Sequence, residues 1–278
     1  MSLGPFDLSG PSFLFLYAIL FAVAILLGIL IPAWLRPEGN ARPVKDPELL
    51  AYLAGGATRF SDSVVSRLLS SDALGLGGGR KFVVGSRTAW KTDAERKVLG
   101  LPQPRLSEID RELRPHGREA EKQLVGAGLL MDSATVAQMR FWQVTPYLLL
   151  LGFGAIKLEV GLSRGKPVAF LVLLMVATGV FALVRLIVVD RRTRGGREIL
   201  ATERKRGDRL RRAPATDEAG LAVALFGTGV LAGSDMGGYH AMRASSGGDG
   251  GSGGGDGGGG CGGGGGGGGG GCGGCGGS

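Results

Sequence analysis

The chain has 278 residues, a formal net charge of +8, 54 glycines, three cysteines and two histidines. The cysteines, Cys261, Cys272 and Cys275, all lie near the C-terminus, which excludes a disulfide-stapled extracellular domain for the rest. The excess positive charge hugs apolar stretches: residues 190–212 hold ten basic against four acidic side chains, a pattern of membrane topology rather than of nucleic-acid binding.

Residues 1–12 carry Asp7 as their only charge and lack the basic start of a cleavable signal. Residues 13–35 then run 23 positions without a charge. At about 1.5 Å per residue such a helix crosses a hydrocarbon core of about 30 Å. Trp34 suits the interface, and Arg36, Arg42 and Lys45 follow it. That step in basic charge puts the N-terminus outside and residue 36 onward in the cytoplasm.

Residues 36–145 form the one sizeable water-soluble block, with seventeen basic and thirteen acidic side chains. Asp46-Pro47-Glu48 opens a helix that Gly55-Gly56 should stop. Ser61-Asp62-Ser63 caps a second helix bearing Val64, Val65, Leu68 and Leu69. A glycine turn at 75–79 leads to a candidate strand at 81–84. Thr92-Asp93-Ala94-Glu95 reads as a capping box. Ser107 caps a helix over 109–113, another follows over 117–125, and 129–131 is a second candidate strand. Helices followed by a hairpin suggest a winged-helix module. Its helices mix Arg with Glu and Asp, and that balance favours a small helical packing or partner-binding domain over a DNA reader.

The second span, 146–162, contains Lys157 and Glu159 close to its far end, where both can reach the interface. Residues 163–166 make a tight turn into the third span, 167–189, which has Arg185 near its end. Residues 199–210 read as an amphipathic helix on the membrane surface. The apolar run 221–232 is too short to span and should dock against another element.

Motifs for chemistry fall short of their contexts. Gly161-Leu162-Ser163-Arg164-Gly165 matches a G-x-S-x-G elbow, yet it sits between membrane helices, with His116 and His240 on the opposite side of the membrane. Residues 161–166 also miss the phosphate-loop spacing, and Pro167 replaces its hydroxyl residue. Cys272-Gly-Gly-Cys275 has metal-knuckle spacing, and Cys261 adds a third thiol, against the four ligands of a closed zinc site. Residues 247–278 hold 25 glycines in 32 positions and cannot bury a core.

Four stretches together resemble the "near-uncomplex" domain family, bacterial membrane proteins in which a shared domain lies beside low-complexity Gly/Cys sequence. They are ELLAYLAGG at 48–56, KLEVGLSRGKPVAFL at 157–171, AVALFG at 222–227 and the CGG-type tail. The resemblance implies an architecture and brings no activity, cofactor or catalytic residue.

The expected protein is an all-α membrane protein with three transmembrane helices. An extracytoplasmic segment (1–12), span one (13–35), a cytoplasmic helical domain (36–145), span two (146–162), a turn (163–166), span three (167–189), a basic juxtamembrane helical region (190–245) and a disordered tail (246–278) follow in order. The expected partners are the bilayer, anionic lipid headgroups at Arg191, Arg192, Arg194 and Arg197, and a protein bound by 36–145. A non-enzymatic scaffold or interaction module is the leading function. The alternatives are a metal-binding, thiol-reactive or modified tail and a small transporter or membrane enzyme.

Overall fold

The computed structural model describes residues 10–40, 42–78, 80–163, 168–212 and 215–246. Three helices among them are long and apolar enough to cross a membrane. The first, α1 (Gly10–Leu35), is apolar on every side, as a helix bathed in lipid should be. The second, α5 (Ser133–Ser163), starts well before the expected boundary at 146 and carries Pro146 in its interior. The third, α6 (Ala169–Ile187), ends with Arg185 in its last turn.

Small residues let the spans approach closely, the usual device where lipid and side chain are equally apolar. A Cβ on Gly28 would lie 2.5 Å from Tyr147 Oη, and one on Gly154 would lie 2.8 Å from the Tyr17 ring. Phe13 stacks on Phe153 with centroids 5.3 Å apart, and Phe21 meets Phe181 edge-on at 5.4 Å. Tyr17 Oη lies 3.4 Å from Thr178 Oγ1, whose hydroxyl donates to Leu174 O. Lys157 Nζ stands 4.9 Å over the Phe13 ring, at the end of the bundle far from the folded body.

Outside the spans, α2 (Pro47–Ser70) is the central element. Asp46 caps it by accepting from the Glu48 N–H, and Pro47 occupies the first turn. Gly55-Gly56 does not stop this helix. It kinks it, with Gly56 at φ 70°, ψ −156°, a conformation that only glycine adopts without strain. A two-stranded antiparallel hairpin follows, β1 (Leu74–Leu76) paired with β2 (Phe82–Val84) in the register Leu74 to Val84. Thr92 and Glu95 make the expected reciprocal capping box on α3 (Asp93–Leu99).

The two expected helices over 109–113 and 117–125 are one, α4 (Leu106–Gly126). Its N-cap is Arg105 rather than Ser107, and the Glu108 carboxylate accepts from the Arg105 N–H at 3.0 Å. Pro115 is tolerated because it faces solvent, where water can serve the Arg111 carbonyl that has lost its donor. Residues 129–131 form no hairpin. Leu130 pairs as an isolated bridge with Arg192 instead, so the winged-helix expectation is not supported.

Four more helices complete the body: α7 (Arg194–Arg206), α8 (Asp208–Arg212), α9 (Ala219–Phe226) and α10 (Gly237–Ser245). They do not form a separate juxtamembrane region. Ala219, Val223, Leu231, Tyr239 and Met242 share one core with Phe60, Val64, Leu68, Phe82, Val98 and Ile109. The apolar face of the expected surface helix also turns inward. Ile199 packs with Leu50, Leu53 and Leu124, and Leu200 and Leu210 pack with Leu225. Burying each such side chain contributes about 1.5–3 kcal/mol. One folded body is therefore assembled from segments on both sides of the span-two and span-three hairpin.

Candidate functional site

Two charged clusters stand out, and both lie where elements distant in sequence meet. The first joins the folded body to the spans. Beyond Leu35 the chain runs alongside residues 191–195: the Arg194 N–H donates to Pro37 O at 3.0 Å and the Gly195 N–H to Glu38 O at 2.7 Å. Residues 129–131 close the other side, with the Met131 N–H donating to Arg191 O and the Thr193 N–H to Leu129 O. Gly39, at φ 67°, permits this seam, since a Cβ there would collide with Gly128 O and the Thr193 side chain.

Arg192 is buried at the centre of the seam. Its Nε donates to Leu53 O at 2.7 Å and its Nη2 to Ala54 O. These carbonyls are freed by the Gly55-Gly56 kink and form the negative end of the first half of α2. Arg36, also buried, donates to Arg192 O and pairs with Asp190 at 3.4 Å. Asp190 also accepts from the Arg192 N–H at 3.0 Å and from Arg197 Nε at 2.8 Å. Nearby, Glu121 accepts from Tyr52 Oη at 2.7 Å and from Arg191 Nη2 at 2.5 Å.

Burial pushes the Asp190 carboxyl up, but the Arg192 N–H and the Arg197 guanidinium outweigh it and hold the group below its ordinary value. Glu121 behaves alike: burial raises it, while Tyr52, Arg191 and Arg118 together bring it below the usual range. Groups depressed on folding lend stability that is present above their unfolded value, about pH 4, and is lost as pH falls through the lowered folded value. Thermal melting in detergent should therefore show a falling midpoint from pH 5 to pH 2–3. Asp190→Asn should flatten part of that fall, and an unchanged pH profile would remove Asp190 from the account.

The second cluster holds α10 against α2 and α4. Arg243, 2% exposed, directs Nε at Asp62, Nη1 at Asp110 Oδ2 (2.7 Å) and Nη2 at Asp110 Oδ1 and Ser61 Oγ (both 3.0 Å). Tyr239 Oη donates to Asp62 at 2.6 Å, and Ser61 Oγ lies 2.6 Å from Asp110. Burial works against the charge on Arg243, yet the hydrogen bonds to Asp110 and the charges of Asp62 and Asp110 more than offset it and hold the guanidinium above its ordinary value. Burial likewise raises Asp62, with Arg243 and Tyr239 opposing.

Sequence reasoning placed Ser61-Asp62-Ser63 at a helix start. They are instead interior to α2 and buried. Three polar residues between the apolar Phe60 and Val64 were the available sign of a buried partner, and Tyr239 and Arg243, one helical turn apart, were its complement.

The four arginines expected at headgroups are differently placed. Arg192 is sequestered, Arg191 and Arg197 pair with Glu121 and Asp190, and exposed Arg194 donates to Ala33 O at 3.0 Å. His240 Nδ1 lies 3.1 Å from Thr228 Oγ1, and His116 lies on α4. Of the G-x-S-x-G match, residues 161–163 are the end of α5, with Ser163 Oγ donating to Val160 O; Arg164 and Gly165 lie outside the described residues. Cys261, Cys272 and Cys275 lie outside them too. Among the described residues, no three His, Cys, Asp or Glu side chains are grouped to hold a metal ion.

A cleft of about 540 Å3 beside Trp90 is lined by Arg67, Lys91 and Glu95. Glu95, though, accepts from the Lys91 and Thr92 N–H groups and lies 3.0 Å from Arg67 Nε, whose N–H is not aimed at it. Arg67 also pairs with Glu48. The charged groups in these clusters are engaged by carboxylates and backbone carbonyls of neighbouring elements, an arrangement suited to holding parts together. The chain matches no family model, no curated protein and no solved structure.

Proposed function

We propose that this chain is a non-enzymatic membrane scaffold that presents its Gly/Cys-rich C-terminal segment from a rigid base. The observation that carries the reading is the position of Arg243. Its buried clamp lies four residues before Gly247, where the glycine-rich sequence begins, so the root of that segment is fixed to the core of the folded body. The Arg36–Asp190–Arg192 seam fixes the same body to the membrane spans. A tether works best from a firm anchor, because any looseness at its root lowers the effective concentration of what it carries. The resemblance to the near-uncomplex domain family supplies the same combination of membrane domain and Gly/Cys segment.

The reading puts the folded body and the tail in the cytoplasm, on the strength of the basic residues that follow spans one and three. Since all three cysteines belong to the tail, a membrane-impermeant maleimide reports on it without mutagenesis. Labelling should be absent in intact cells and appear after lysis, and labelling of intact cells would invert the topology. For the scaffold role, crosslinked complexes of the full chain are compared with those of a chain ending at Ser246. Loss of a specific partner supports tail presentation, and an identical set of partners from both rules it out.

A further inference from the structure

The face between the first two spans carries a groove of about 390 Å3, bordered by Leu20, Leu27 and Ile31 of α1 and by Trp142 and Leu149 of α5. Thr145, its one hydroxyl-bearing wall, turns that group back to Phe141 O at 2.7 Å. With Thr145 engaged in this way, the groove wall is almost wholly apolar and suits a hydrocarbon chain. At Ile31 it meets a second recess, formed by Leu30, Ile31, Ala33, Trp34 and Leu35. Here the chemistry changes: Arg194, from the far side of the span-three connection, donates one Nη2–H to Ala33 O, and the side chain remains exposed.

A guanidinium has five N–H donors in a fixed fork, and the exposed Arg194 directs one of them at Ala33 O. Trp34 and Trp142, 86% and 47% exposed, stand at the same end as an interfacial belt. A dry channel leading up to a cation at headgroup level has the charge pattern of one amphiphile.

We propose that this groove binds an anionic phospholipid, with one acyl chain between α1 and α5 and its phosphate on Arg194. Arg192 takes no part, being buried and committed to Leu53 O and Ala54 O. The site is independent of the scaffold reading and needs only that α1 and α5 sit in a bilayer.

The test uses the full chain in phosphatidylcholine nanodiscs containing rising fractions of phosphatidylglycerol or phosphatidylcholine with brominated chains. Bromine quenches Trp34 and Trp142, and Trp90, stacked under Arg96 in the folded body, supplies the unquenched baseline. Phosphatidylglycerol should quench at about fivefold lower mole fraction, the effect of one basic residue at a membrane surface. Arg194→Gln should bring the two curves together, whereas Arg194→Lys, which keeps the charge, should preserve the preference. Val23 also lines the groove, and Val23→Phe, which adds bulk there, should weaken quenching by both lipids. Identical curves in the unmodified protein, or a preference that survives Arg194→Gln, would overturn the site. Absence of quenching by either lipid, with the protein eluting as a dimer, would do so too by placing a second copy in the groove.

Discussion

Arg243→Met is expected to destabilise the folded body by about 3–5 kcal/mol, the usual consequence of leaving a buried charge without its partner. Asp62 is 2% exposed and would keep only the Tyr239 hydroxyl. The apolar length of methionine fills much of the space of arginine, so a large loss would come from the orphaned carboxylate rather than from a cavity. Arg243→Lys should fall between, since a single ammonium cannot serve Asp62, both oxygens of Asp110 and Ser61 together. Hydrogen exchange in detergent should show residues 237–245 losing protection first. Adding Asp62→Asn should restore part of the loss, because it removes the charge that Arg243 had to balance. If Arg243→Met melts like the unmodified protein, the clamp has no energetic role and the anchored-tether reading falls with it.

The second large effect is expected at Arg192. Arg192→Met removes two donors from buried carbonyls at the α2 kink, each worth about 1–3 kcal/mol when left unsatisfied. Arg36 keeps its acceptor, because that acceptor is the Arg192 backbone oxygen. The damage should therefore concentrate in residues 50–56 and in the seam at 129–131, where amide exchange would accelerate before that of the hairpin or α3. Arg197→Ala is the informative contrast. Its pair with Asp190 is close, at 2.7 Å, but Arg197 is 46% exposed, and pairs of that kind contribute at most about 1 kcal/mol. Equal losses from the two substitutions would mean that burial does not govern the strength of this junction.

The two clusters make the same physical argument. Two arginines, one of them from the basic stretch 190–212, are removed from solvent and carry the contacts between distant segments. Taking a guanidinium out of water is unfavourable unless its donors are met. Arg192 meets this with helix-end carbonyls and Arg243 with two carboxylates and a hydroxyl. A lysine at either position would lack the planar fork that serves several acceptors at once, which is why the choice of residue is itself informative.

Several elements were legible in the chain itself. The apolar run of 13–35 marks a spanning helix because length and lack of charge are local properties, and α1 occupies Gly10–Leu35. The capping box at Thr92 and a strand expected at 81–84, observed as Phe82–Val84, followed from neighbouring side chains in the same way. Other features depended on partners that periodicity cannot name. The Gly55-Gly56 pair could stop a helix or kink it, and Arg192 at the freed carbonyls settled it as a kink. The apolar face of α7 could meet lipid or protein, and Leu50, Leu53 and Leu124 were waiting for it. Sequence thus determined where this chain is apolar and where its positive charge lies. Only tertiary structure decided that residues 190–245 belong to the same body as residues 47–131, because the contacts that join them bridge separations of 139 and 181 residues, far beyond the reach of any local pattern.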